Sequence, residues 1–354
     1  MLLFSVGAAD AEVPLARQVG VMMQLENMLG EKSSFGERAG EVDRQFALVE
    51  QAGVKWVRQG IMWEQIEPQP GKWNWSAADH VVQAAGKHHI HLLWVVGNTA
   101  PWDSDNGQWN GVPKDLGNND GHFVHFMQQL VERYKNSVHH WEIRNEPNLE
   151  YMWHGRKAER YALYLTEAHR VIKNHDPKAT VVFGGLGGGM IEQTAWFREV
   201  LAALHKQNKA LPFDVANFHV YAGEADRKFT GDGSVQKYLT WCNERIKEIM
   251  NAENLAEMPV WITELDYPAA PKHQAHDPGF QHGEESQAKL IRELLPGFAQ
   301  TDPQRRVFWA SLLDDFDDAG AFASVGLFHS DKQHHLGKER PAYHALKHIL
   351  NASQ

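Results

Sequence analysis

The chain has a single cysteine, Cys242, in 354 residues, which excludes a disulfide-built scaffold and a thiolate metal cluster. No run of eighteen apolar residues occurs, so no segment reads as a membrane-spanning helix. Positive charge is scarce: 35 Lys and Arg stand against 45 Asp and Glu, a net charge of −10 with histidine neutral. A nucleic-acid binder shows the opposite sign or a clustered basic stripe, and neither is present. Pro/Ser-rich linkers and charge blocks are also missing, so one domain is expected. With 43% hydrophobic and 23% charged residues, the composition is that of a globular protein rather than a disordered or fibrous one.

Tryptophan is plentiful instead, at 13 residues, several of them beside Gly, Pro and Asn. Trp within an apolar run packs in a core, whereas Trp on a loop often lines a binding surface. At the start, residues 1–11 read either as a secretion-signal remnant or as an ordinary terminus. A short apolar run and Ala9-Asp10-Ala11 favour the first, while the absent basic start favours the second. A secreted or periplasmic location is the expectation, with a cytoplasmic one as the alternative. Residues 12–354 are expected to form the catalytic unit.

Eight short β-rich runs recur, at 18–24, 54–59, 90–96, 139–144, 180–184, 213–219, 259–264 and 306–312. Most are nearly continuous in hydrophobicity, as strands buried on both faces are. Helical spacing lies between them: Phe123, Phe126, Met127, Leu130, Val131 and Tyr134 share one helix face. Val42, Phe46 and Val49 do the same earlier, and Ile291, Leu294, Leu295 and Phe298 later, with a last helix near 341–350. Eight strand-helix units predict a (β/α)8 TIM barrel. A doubly wound open sheet is the alternative, because alternation alone does not distinguish closure from an open edge.

Barrel enzymes place their chemistry at the carboxyl ends of strands. Those positions hold Arg58, Trp63, Glu64 and Glu67 after the second run, Asn98 and Trp102 after the third, and Asn145 and Glu146 after the fourth. His219 and Tyr221 follow the sixth, Glu264 the seventh, and Trp309 and Asp315 belong to the eighth. Glu146 and Glu264 stand out as carboxylates at the tips of apolar strands, a costly placement unless they are paired or used. Strands four and seven oppose each other across an eight-stranded barrel, so the two face each other over its mouth. Two opposed carboxyl groups are what glycoside hydrolysis requires, one as proton donor and one as nucleophile or base. A rim salt bridge involving Arg58 is the bland alternative. For a retaining mechanism the two groups should lie about 5 Å apart, and for an inverting one roughly 9 Å. The acid should sit in drier or more negative surroundings than the nucleophile.

The motifs "WEIRNEPN" (141–148) and "WITELDYP" (261–268) resemble the acid/base and nucleophile motifs of clan A retaining glycoside hydrolases. "GVKWVRQGIMWEQIEPQPGKWNW" (53–75) resembles that clan's second-strand region, "FDVANFHVYAG" (213–223) its sixth strand, and "LFHSDKQHHLGKERPAYHAL" (327–346) its chain end. The chain is most similar to family 39, the β-xylosidases, α-L-iduronidases and bacterial exopolysaccharide hydrolases, with the family 5 cellulases next. The resemblance implies Glu146 as general acid/base and Glu264 as nucleophile. It also implies Asn145 at the sugar 2-hydroxyl, Arg58 holding Glu264 ionised, Tyr221 donating to the nucleophile, His219 orienting the site, and Trp309 as the apolar floor. Family 39 xylosidases add a β-sandwich for which 354 residues leave no room, so their substrate and oligomeric state are not carried over.

Further candidates come with their own bland readings. Trp63, Trp73, Trp75, Trp102, Trp109 and Trp153 are expected on loops of the barrel mouth, where some would stack on sugar rings and the others pack the loops. Platforms on several loops suggest an endo-acting enzyme on a polysaccharide or oligosaccharide. An exo-acting β-glycosidase and a silent carbohydrate-binding barrel are the alternatives. Asp266 is a candidate sugar contact or perturber of Glu264. The cluster Asp314, Asp315, Asp317 and Asp318 reads as a solvated loop or as contacts to sugar hydroxyls, without a calcium-loop spacing. The run "GGLGGGM" (184–190) lacks the signatures of a nucleotide loop and reads as unhindered backbone near the mouth. The histidines at 88–91 and 139–140 fall at the bottom of the barrel, away from chemistry. No metal and no cofactor are expected.

Overall fold

In the computed structural model, the residues described are 13–25, 35–206, 210–229, 231, 233–269, 283–314, 324–331 and 334–352. Eight strands carry the architecture: β1 (Val19–Met23), β2 (Trp56–Met62), β3 (His91–Gly97), β4 (His140–Ile143), β5 (Thr180–Phe183), β6 (Ala216–Tyr221), β7 (Val260–Asp266) and β8 (Val307–Trp309). All neighbouring pairs are parallel, in the order β5-β4-β3-β2-β1-β8-β7-β6. The two ends of that order meet through a parallel bridge between Val182 and Val215. Strand order therefore follows chain order around a ring, which separates a (β/α)8 barrel from the doubly wound alternative.

The helices between strands are α1 (Phe35–Gln51), α2 (Ser76–Lys87), α3 (His122–Tyr134), α4 (Ala158–His175), α5 (Met190–Lys206), α6 (Ser234–Ala252), α7 (Glu284–Glu293) and α8 (Pro341–Ala352). The α3 periodicity works as expected: Phe123, Phe126, Met127, Leu130, Val131 and Tyr134 are all buried. The later apolar run does not form one helix. α7 stops at Glu293 and a short helix, Leu295–Ala299, follows it. Pro296 explains the break, since it has no N–H to continue the α7 ladder.

Two apolar layers result. The large one lies between strands and helices. A smaller one, of Trp56, Leu93, Val182, Val215, Trp261 and Phe308, fills the barrel at its amino end. Arg306 lies over this plug, its guanidinium 5.2 Å from the Trp56 ring and 5.8 Å from Trp261. His140 packs edge-on to Trp56 at 4.7 Å, and burial pushes its imidazole down to about 4. Trp94 and Trp141 are buried too, as residues of apolar strands should be.

Candidate active site

The opposite end of the barrel is charged. Arg58 on β2 is buried and donates to Glu142 of β4 through Nε (2.8 Å) and Nη2 (2.9 Å), to Glu264 of β7 through Nη1 (2.8 Å) and to Asn145 Oδ1 (2.6 Å). Burial works against its charge, but Glu142 and then Glu264 outweigh that and raise the guanidinium above its ordinary range. Glu142 was missed in the sequence reading. It is fully buried and also accepts from Gly185 N at 3.0 Å. The available signal was a carboxylate inside an otherwise apolar strand.

Local backbone geometry aims the two tip carboxylates. β4 stops at Ile143, and Arg144 (φ 73°) and Glu146 (φ 45°) then take left-handed conformations. Side chains other than glycine disfavour that region by about 1–2 kcal/mol, so the turn needs external support. Arg144 N donates to Val96 O (3.0 Å), Glu146 N to Gly185 O (2.8 Å), and Asn148 exchanges two hydrogen bonds with Gly187. The glycine run is thus more than open backbone. A Cβ on Gly185 would collide with the His219 ring, and one on Gly187 with the Glu146 carboxylate. On β7 the pairing with β6 slips by one residue at Thr263, which brings Glu264 level with His219.

The groups converge there. His219 Nδ1 lies 3.0 Å from Glu146 Oε1 and 3.5 Å from Glu264 Oε2, and its Nε2 lies 3.1 Å from Thr263 Oγ1. The Tyr221 hydroxyl makes a short contact to Glu146 Oε1 and stands 3.2 Å from Glu264 Oε2. The hydroxyl thus reaches the expected Glu264 and Glu146 as well. One donor atom from each of Glu146, His219 and Glu264 fits within a mutual separation of 4.8 Å, in the range of the close carboxylate spacing.

The expected difference in acidity takes another form. Burial raises the Glu146 carboxyl, but the hydrogen bond and charge of His219, then Tyr221 and Arg58, hold it below its ordinary value in the free protein. Burial is the largest single influence, and it is outweighed only by these partners acting together. Asp266 is the carboxyl that burial raises, to about 8, with the charge of Glu264 adding to the effect.

A cavity of about 510 Å3 opens over the cluster, lined by Arg58, Asn145, Glu146 and Glu264 and, toward its rim, by Asn98 and Trp109. Glu64 lines it as well. Its Oε1 accepts from Asn98 Nδ2 at 2.7 Å, and burial raises its carboxyl. Tyr151 and Trp109 are the exposed aromatics of this wall, at 62% and 38% exposure.

Several sequence candidates sit elsewhere. Trp63 is fully buried, stacked on Phe126 and donating to Glu67 Oε2 at 2.8 Å. Glu67 also accepts from Gly71 N (2.7 Å) and, through its carbonyl, from Trp102 Nε1 (2.9 Å). Trp63 and Glu67 thus form the interior of the loop after β2, with the half-buried Trp102 of the loop after β3 hydrogen-bonded to it. Trp153 is fully buried, with Arg144 5.2 Å over its ring. Trp73 and Trp75 stack on each other at 5.4 Å. Trp309 is not the cavity floor: Phe308 belongs to the interior plug, so the next residue alternates outward into the strand-helix layer, donating to Val325 O at 2.9 Å. Asp266 is buried beside Gly223 rather than at the cavity wall. Asp314 is paired with Arg340 (Oδ2–Nη2 2.7 Å), and Asp315, Asp317 and Asp318 lie outside the described residues, as does 1–11. No helix among the described residues is long and apolar enough to cross a membrane.

A TIM barrel with two facing carboxylates over a polar cavity defines the class of the protein, a carbohydrate-active barrel. The family model "Glycosyl hydrolases family 39" matches residues 114–297, more than half of the chain, and the chain belongs to that family. A β-galactosidase model matches residues 37–102. A β-xylosidase of Geobacillus stearothermophilus is 27% identical over 183 residues, 48% of this chain and 35% of that protein. An endo-1,4-β-xylanase A of Halalkalibacterium halodurans is 31% identical over 100 residues, 23% of this chain and 24% of that protein. The match thus spans about a quarter to a third of these relatives. The crystal structure of a monomeric β-xylosidase from Caulobacter crescentus superposes with a TM-score of 0.66 at 20% identity, covering 97% of this chain and 69% of that one. This likeness bears on the fold.

Proposed function

We infer that the chain is a retaining glycoside hydrolase, with Glu264 as nucleophile and Glu146 as general acid/base. The observation that carries this reading is the close approach of the two carboxylates, bridged by His219 and the Tyr221 hydroxyl. A spacing of about 5 Å leaves no room for a water between carboxylate and sugar, and so favours direct attack.

A carboxylate oxygen of Glu264 forms a bond to the anomeric carbon while the glycosidic C–O bond breaks. Its electron pair passes to the leaving oxygen, which takes the proton of the Glu146 carboxyl. Glu146, now a carboxylate, then removes a proton from water, whose oxygen bonds to the anomeric carbon and releases Glu264. Arg58 pairs with Glu264 at 2.8 Å and orients it for attack. His219 Nδ1, 3.0 Å from Glu146 Oε1, orients the carboxyl that delivers the proton. Asn145, which touches Arg58 and lines the cavity, is placed for the sugar 2-hydroxyl.

The substrate on this reading is a polysaccharide or oligosaccharide. Endo action rests on the two rim aromatics, Trp109 and Tyr151, as stacking faces for a further sugar unit. The buried tryptophans no longer support it. The experiment is to follow the anomer of the first product, beside a Glu264→Ala variant supplied with azide. Retention in the wild type and a glycosyl azide of inverted configuration in the variant are expected. A first product of inverted configuration would remove the nucleophile assignment. Longer oligosaccharides among the early products would separate endo from exo cleavage.

A further inference from the structure

Away from the cavity, the long connection between β3 and α3 holds a second cluster of ionisable groups. Asp103 lies on its outgoing arm, Asp115 on its returning arm and His122 on the first turn of α3. One donor atom from each fits within a mutual separation of 4.8 Å. His122 Nδ1 is 2.8 Å from Asp103 Oδ1 and 3.4 Å from Asp115 Oδ2. Asp115 Oδ2 also accepts from His122 N at 2.8 Å.

These hydrogen bonds account for half of the carboxylate oxygens. Asp103 is only 3% exposed, and its Oδ2 is shut off from solvent with no hydrogen-bond partner. Asp115 Oδ1 is in the same condition. Two sequestered, unsatisfied carboxylate oxygens beside one imidazole are expensive unless a cation joins them. A purely capping role for Asp115 would need neither the buried Asp103 nor its idle oxygen.

We propose that Asp103, Asp115 and His122 form a binding site for a divalent transition-metal ion of the Zn2+ class. An imidazole nitrogen with two carboxylates suits Zn2+ better than Ca2+, which prefers oxygen alone. Bonds of about 2.0–2.2 Å in a tetrahedron set donor atoms roughly 3.4 Å apart; His122 and Asp115 already stand at 3.4 Å, and His122 and Asp103 would part from 2.8 Å. The half-exposed His122 leaves the fourth position to water. The ion would tie both arms of the connection to α3, and that connection carries Trp109 to the cavity rim. Its role is structural, since none of its ligands lines the cavity.

The test is titration of the EDTA-treated full chain with ZnCl2 by calorimetry, with thermal unfolding in parallel. One Zn2+ per chain and a rise in Tm of several degrees are expected. His122→Ala should abolish both the binding and the rise, read against the variant's own Tm in EDTA, which the lost hydrogen bond to buried Asp103 lowers. Asp103→Asn should weaken binding at least about tenfold; if that variant does not fold, His122→Ala decides. No uptake by the wild type would reduce the cluster to a helix cap and overturn the proposal. Uptake that survives His122→Ala and inhibits hydrolysis would place the ion on Glu146, His219 and Glu264 instead, and would equally overturn it.

Discussion

At the carboxyl end of the barrel the buried arginine, Arg58, is clasped by two carboxylates and an amide oxygen. At the amino end Arg306 lies over the faces of Trp56 and Trp261. The histidines differ in the same way: His219 sits between Glu146 and Glu264, whereas His140 is wedged among aromatic rings and pushed down to about 4. Each end thus places an arginine and a histidine among close partners, fully buried at the carboxyl end and half-buried at the amino end. One surrounds them with opposite charge. The other surrounds them with π-faces and apolar side chains, which closes the barrel. Residue type alone does not separate the two ends; partner charge does.

Arg58→Met is the most severe way to break the comparison. It strands Glu142 and Glu264 as buried, unpaired carboxylates, and a loss of about 3–5 kcal/mol in stability is expected. Chemical denaturation measures it, and a loss below 1 kcal/mol would mean the cluster is not held by that arginine. Glu146→Gln keeps the shape of the site and removes the proton. Turnover should fall about 10²–10⁴-fold with binding retained, and unchanged turnover would end the acid/base assignment. Trp109→Ala tests the rim and should weaken binding of a long substrate by roughly threefold to tenfold, with short substrates little affected. His140→Phe probes the closed end and should leave turnover alone. Between the ordinary imidazole value of 6.5 and about 4, the unfolded chain binds a proton that folded His140 refuses. Wild-type stability is therefore lost as pH falls through that window, and the variant should show a flatter profile. Activity lost in His140→Phe would mean the two ends are coupled.

The barrel was legible because its signal is local and repeated. Eight apolar runs with turn-rich ends, and α3 with its buried stripe, reflect backbone periods that neighbouring residues enforce. Glu146 and Glu264 were legible for a different reason, as carboxylates at the ends of runs rich in apolar residues. Trp63 and Trp153 were misjudged because a position after a strand was equated with exposure. Loops of this length have interiors of their own, and an indole that donates to Glu67, as Trp63 does, is well suited to fill one. Trp309 was misjudged by one step of strand alternation.

The sequence by itself determined the strand-helix alternation, the single cysteine, the negative balance and the two carboxylates at the ends of apolar-rich strands, since each depends on nearest neighbours or on composition. Only the tertiary structure decided that the ring closes through Val182 and Val215, that Glu142 stands behind Arg58, that His219 and Tyr221 bridge the carboxylates, and which tryptophans meet solvent. Those facts depend on contacts between residues far apart in the chain, on a one-residue slip in β7 and on left-handed turns after β4. Composition and local periodicity carry no record of them.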